Sequence, residues 1–203
     1  MLFALCALAV LTLGAVALVR SVDTGVLVLG NLGFKKDAVY VASQATETAI
    51  TWLQNNTANG GLDADLPLKG YYATAPDNID PTGGGLATST GTVTLVNWGT
   101  TGCTAPGTSG RSVVCLTPVD QTISSDTTVS YVITRLCLSA GPNDSKNSCV
   151  VPVTSQATAS SQRGALQPGG RFITYSNGTA YRILTRTVGT RGTVAYTETL
   201  VHF

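Results

Sequence analysis

The sequence predicts an α+β protein: a long N-terminal hydrophobic and amphipathic helix packed on an antiparallel β-sheet head. Three observations predict it. From Met1 to Val19 the only side chain with a polar group is Thr12. Helical spacing then resumes from Phe34 to Leu53, with no proline before Pro67. Beyond residue 90, β-branched and aromatic residues alternate with Thr and Arg between glycine-rich turns. The expected organisation is a helical unit over 1–54 and a globular β-rich head over 55–203.

The apolar opening run would span about 28 Å as a helix, close to the roughly 30 Å hydrocarbon core of a bilayer. Three roles fit it: a secretory signal cleaved near Ala15-Val16-Ala17, a simple membrane anchor, or a helix that serves first in a membrane and later in a filament core. No Lys or Arg precedes the run, which weighs against the cleaved signal. In the second part, Phe34, Ala38, Val41, Ala45, Thr48, Ala49, Trp52 and Leu53 form a stripe at i, i+4, i+7 spacing that is expected to pack on the head. Gly25, Gly30 and Gly33 lie between the two parts, each costing about 1 kcal/mol in a helix interior. The sequence therefore allows one rod weakened near 25–33, or two helices joined by a hinge.

Composition narrows the function classes. Charged residues make up 11% of the 203 and the net charge is +1, so no global attraction to nucleic acid or anionic surfaces follows. The single histidine, His202, excludes multi-histidine metal sites and makes Ser-His-Asp catalysis a poor fit. No nucleotide loop, nucleophile elbow or metalloprotease helix is present, so neither an enzyme activity nor a cofactor nor a small-molecule substrate is expected. Glycine (22) and threonine (31) are abundant, as suits short strands and polar loops.

Strands are expected at 93–98, 129–136, 171–175, 181–188 and 193–203, each with one buried and one wet face. Ser176-Asn177-Gly178-Thr179 and Gly189-Thr190-Arg191-Gly192 read as tight turns, so the last three strands should form an antiparallel meander. Cys6 lies in the apolar run and reads as a small hydrophobe. Cys103, Cys115, Cys137 and Cys149 lie in the head and allow three disulfide connectivities. Cys103–Cys115 with Cys137–Cys149 is favoured, because each bond closes a short loop containing proline and glycine. A zinc site is the rival, but no CxxC spacing supports it. Disulfides would place the head in an oxidising compartment. Positive-inside counting instead puts Arg20, Lys35 and Lys36 on the cytoplasmic side. The two readings agree if a charged leader precedes Met1.

Asp63-Ala64-Asp65 and Asp77-Asn78-Ile79-Asp80 bring carboxylates together, but neither supplies the six to eight oxygens of a calcium site. Residues 151–203 carry Arg163, Arg171, Arg182, Arg186 and Arg191 against Glu198 alone. Arg182 and Arg186 share a strand face by period two. They form a candidate basic contact surface for a neighbouring subunit or for weak DNA binding, against the simpler reading of a solvated sheet face.

Leu11-Thr12-Leu13, Val19-Arg20-Ser21-Val22-Asp23, Gly30-Asn31-Leu32-Gly33-Phe34 and the segment from Ala42 to Leu53 with its Trp52-Leu53 ending occur in an order and spacing that resemble the N-terminal signature of PilX-type minor pilins of type IV pili. Tyr181-Arg182-Ile183 and Thr193-Val194-Ala195-Tyr196 are more weakly similar to that family's last two strands. The resemblance covers about the first quarter of the chain, and nothing between 55 and 170 shares it. It implies a subunit whose helix waits in the inner membrane with a periplasmic head, then joins other minor and major pilins in an extracellular pilus. It also implies a basic leader ending in glycine, here expected before Met1, and a glutamate at mature position five. Leu2, Phe3, Ala4, Leu5 and Cys6 occupy that stretch instead. A subunit without that carboxylate cannot pair with the amine of a preceding subunit, which resembles a tip position. Small residues, among them Ala4, Ala7, Gly14 and Ala15, would permit close helix packing in membrane or filament. The alternatives are a pilus-tip adhesion or DNA-capture subunit and a signal-cleaved secreted β domain.

Overall fold

The computed structural model describes residues 1–57, 61–76, 78–82, 91–99, 103, 112–124, 127–142, 147–150, 153–154, 174–175, 178–189 and 192–203. The chain is α+β, with one long helix packed on a sheet.

Helix α1 runs unbroken over Leu2–Asn56. The expected weak point at 25–33 is helical throughout, so the one-rod alternative holds. A single glycine costs less than breaking the i to i+4 ladder on both sides of it. At 1.5 Å per residue the rod is about 80 Å long.

After a 3-10 turn at Pro67–Lys69 come β1 (Tyr71–Tyr72), β2 (Ile79–Asp80), β3 (Val93–Val96), β4 (Val113–Leu116), β5 (Val119–Ser124), β6 (Thr127–Arg135), β7 (Val153–Thr154), β8 (Thr174–Tyr175), β9 (Ala180–Val188) and β10 (Val194–His202). The main sheet has the order β1-β6-β9-β10, and β5 also pairs with β6. Strands β5, β6, β9 and β10 are joined by antiparallel pairings, whereas β1 lies parallel to β6. A small all-parallel sheet, β2-β3-β4, covers part of the outer face.

Two expectations change here. The strand expected at 171–175 does not open a C-terminal meander. Its described part, β8, pairs with β7 in a separate two-stranded sheet. The edge of β9 that β8 would have needed is taken by β6, in a register running from Thr128↔Val188 to Arg135↔Tyr181. Eight residue pairs outcompete a two-residue strand. Residues 171–173, 176–177 and 190–191, on which the rest of that expectation falls, lie outside the described residues.

The second change concerns burial. β6 is buried along its whole length except at Thr128, rather than having one wet face. Its odd-numbered side chains, Val129, Tyr131 and Ile133, pack with Tyr181 and Ile183 against Val41, Ala45, Ala49 and Leu53 of α1. Its even-numbered Val132 packs with Leu184 and Tyr72 against Val96 and Leu116 of the small sheet. The head is thus three layers, and β6 is its middle. β10, at the margin, keeps the simple alternation of exposed and half-buried positions.

The buried stripe of α1 comprises Ala38, Val41, Ala42, Ala45, Thr46, Ala49 and Leu53. Thr48, expected in it, is exposed, while Ala42 and Thr46 are buried instead. The i+3/i+4 steps from Ala38 pass through 42, 46, 49 and 53, and Thr46 satisfies its hydroxyl on the Ala42 carbonyl at 3.0 Å. Phe34 and Trp52 are half-buried at the two ends of the contact.

Candidate functional site

Among the described residues, the surface without a partner is the first part of α1. From Met1 to Gly33 every residue whose side chain is described is exposed. Large aliphatic groups point in all directions, among them Leu5, Leu8, Leu11, Leu13, Leu18, Val26, Leu27, Val28 and Leu29. The helix is long and apolar enough to cross a membrane. Helical periodicity of the amphipathic kind is absent here: large apolar groups lie on every side.

Ala4, Ala7, Gly14 and Ala15 are all exposed on this half. At 100° per residue they fall in one arc about 100° wide, roughly opposite the arc of Ala38, Ala45 and Ala49 on an ideal helix. A Cβ built on Gly14, Gly25, Gly30 or Gly33 would meet nothing within 4 Å. The head therefore gives no steric reason for any of these glycines. The contrast is Gly70, whose φ is +64° and whose Cβ would lie 3.0 Å from the Tyr131 carbonyl oxygen. There the fold itself demands glycine.

Cys103 is bonded to Cys115 and Cys137 to Cys149. Each joins residues twelve apart, and the first ties Cys103 to β4 of the small sheet. Cys6 is free and exposed. Asp63, Asp65 and Asp80 are used internally: Asp63 pairs with Arg135 at 3.4 Å, Asp65 accepts the Ala73 amide at 2.7 Å, and Asp80 accepts the Thr82 amide at 2.9 Å. Asp77 lies outside the described residues. Among the described residues no three of His, Cys, Asp and Glu gather as metal ligands.

Arg182 and Arg186 do share the outer face of β9, on either side of buried Leu184. Both are half-buried and engaged. Arg186 donates from Nη1 to the Trp98 carbonyl at 3.0 Å. Arg182 Nε lies 3.1 Å from Glu198 Oε1, close enough for charge attraction although its N–H is not aimed at that oxygen. The small sheet and the Trp98–Tyr196 ring contact crowd this face. Arg163, Arg171 and Arg191 lie outside the described residues.

One functional side chain escaped the sequence reading. Arg135 was expected only as part of a strand; it is 2% exposed, on the face of β6 that packs toward α1. Its guanidinium donates to the carbonyls of Ala73 at 3.2 Å, Leu62 at 3.1 Å and Gly141 at 2.6 Å, and pairs with Asp63. Tyr71 donates its hydroxyl to the same Leu62 carbonyl at 2.7 Å. Burial pushes the Tyr71 phenol well above its ordinary range, and the nearby Arg135 charge only partly offsets this. Burial likewise raises Tyr131 and Tyr181. The signal available in sequence was the charge itself, placed in register with Tyr131 and Ile133 on an otherwise apolar face.

The architecture defines a class: an α+β head on a rod that extends, bare and apolar, well beyond it. No protein-family model matches the chain, and no match emerges among curated proteins or solved structures.

Proposed function

We propose that the chain is a PilX-like minor pilin that primes or enters a type IV pilus by helix-bundle assembly and head-to-head contacts. The observation that carries the reading is the first part of α1, Met1 to Gly33: apolar on every side, unpartnered among the described residues, and holding four glycines that no contact with those residues explains. Leaving lipid for a bundle of like helices is nearly neutral in hydrophobic terms, so close packing must supply the preference. Small residues supply it. On an ideal helix Ala4, Ala7, Gly14 and Ala15 would share one side of the rod, where neighbouring helices would sit. The disulfides suit a head in the periplasm and then outside the cell, with the helix in the inner membrane before assembly.

The partners under this reading are other pilins, minor and major. DNA capture is the less favoured role, since Arg182 and Arg186 are both half-buried and engaged. The secreted-domain alternative would require the rod to be cut within a continuous helix. Two measurements test the proposal. N-terminal sequencing of the exported protein should give a start near Met1; a start near Leu18 or Ser21 would sink it. Gly14→Leu and Ala7→Leu should lower incorporation into sheared pili while the head keeps its unfolding midpoint. Normal incorporation of both variants would remove helix-bundle packing as the mechanism.

A further inference from the structure

Among the described residues β10 is a free edge of the main sheet. The phase of its hydrogen bonds follows from the ends of the β9–β10 hairpin. The Gly189 amide donates to the Thr193 carbonyl at 2.8 Å, and the Phe203 amide to the Thr179 carbonyl at 3.4 Å. Both continue the register in which Val194 faces Val188 and His202 faces Ala180. Bonded and non-bonded pairs alternate along an antiparallel ladder. The odd-numbered residues 195–201 therefore bond to β9. The amides and carbonyls of Val194, Tyr196, Glu198, Leu200 and His202 point out of the sheet, and among the described residues nothing meets them.

Sheet edges are normally blunted by proline, lysine, bulges or shortness. β10 has none of these: nine residues, an unbroken register, no proline and no lysine. The side chains of the same outward residues stand on the outer face, where Val194, Tyr196 and Leu200 are 43%, 40% and 62% exposed. The one acidic group among them, Glu198, already has Arg182 beside it. Only an extended backbone offers donors and acceptors at the spacing these groups require.

A second copy is a poor occupant. Two β10 edges joined about a two-fold axis would reverse every direction in the plane of the sheet, including that of α1. Two helices anchored in one membrane must run the same way, an argument that rests on the anchored-helix reading above. The other edge of a like subunit offers the two-residue β1 and β5, which is six residues long, irregular between Thr122 and Ser124, and carries Asp120 on the face that bears Glu198. We propose that the β10 edge takes an extended segment of a different polypeptide as an added strand, with apolar side chains at alternate positions over Val194, Tyr196 and Leu200.

The test uses the full chain, isotope-labelled in detergent micelles, with amide hydrogen exchange as the readout. The probe is a nine-residue peptide of alternating valine and threonine with flanking lysines; the control has proline at its centre. At saturating probe, exchange at the Val194, Tyr196, Glu198, Leu200 and His202 amides should slow about tenfold or more. The Ala195, Thr197, Thr199 and Val201 amides, already bonded to β9, should not change. Leu200→Pro removes one outward amide without touching the β9 ladder. It should abolish the slowing and leave the head folded. No slowing at millimolar probe, equal slowing with the control, or slowing without peptide as the chain is concentrated would each overturn the proposal. Release of the chain from membranes by salt, with probe protection intact, would support strand addition and count against the anchored-helix reading alone.

Discussion

The two halves of α1 share one backbone geometry and almost nothing else. From Ala38 to Leu53, burial follows the helical period, small residues meet the sheet, and polar residues cover the far side. From Leu2 to Gly33 there is no such period, because there is no inside. The packed half is explained by its own chain. The bare half is not explained by any described part of its own chain, and is long and apolar enough to cross a membrane. The difference teaches that helix formation and helix burial are separately encoded. Propensity and hydrogen bonding carry the rod past Gly25, Gly30 and Gly33, whereas the pattern of apolar residues says what surrounds each stretch.

The sharpest way to separate the halves is to break what the packed half leans on. Arg135→Leu removes four polar contacts that tie Leu62 and Asp63, Ala73 just after β1, and Gly141 together. Leu62 keeps the Tyr71 hydroxyl, but the Ala73 and Gly141 carbonyls and Asp63 lose the guanidinium, which should cost about 3–5 kcal/mol. Chemical denaturation of the head should show it, with membrane retention unchanged. A matched pair comes next. Leu53→Ala, at a side chain with 0% exposure, should cost about 3 kcal/mol of head stability. Leu29→Ala on the bare half should leave the same denaturation curve in place. A head destabilised equally by both would erase the distinction.

Alkaline titration is gentler. Burial raises the Tyr71, Tyr131 and Tyr181 phenols above their unfolded values. A raised folded value means their contribution is complete below about pH 10 and is lost as pH climbs from there toward the folded pKa. Denaturation midpoints measured from pH 8 to 11.5 should stay flat and then fall, and Tyr71→Phe should flatten that fall. The smallest effect belongs to Gly30→Ala. With no neighbour within 4 Å, the added methyl should firm the rod locally by about 1 kcal/mol. Slower amide exchange at residues 26–34 would report it, with no change in the head.

What could be read in advance divides along the same line. The period-2 runs at 129–136, 181–188 and 193–203 located the three longest strands, because each is long enough for alternation to stand out. The helix stripe was legible for the same reason, apart from Thr48. The small parallel sheet was not, since β2 and β4 span two and four residues and their parallel pairing leaves no hairpin signal. The meander failed because turn chemistry at 176–179 says where a chain bends, not which edge is still vacant. Arg135 failed because its partners, Leu62 and Asp63, lie more than seventy residues away. On the bare half of the helix, the small residues and glycines were visible as letters. Only the fold revealed that the head makes no use of the glycines.

The partners of the packed half of α1 are β6, β9 and β10. Two of these, β9 and β10, lie some 130 to 160 positions beyond the helix they cover. Closing so long a loop must come before any of its contacts repays the entropy, which makes for slow, high-contact-order folding. During synthesis the rod is complete while its cover is still unmade. Ala45 and Ala49 then wait uncovered until β6 and β9 arrive, and a chain without β10 would keep those two strands on the helix but lose the third.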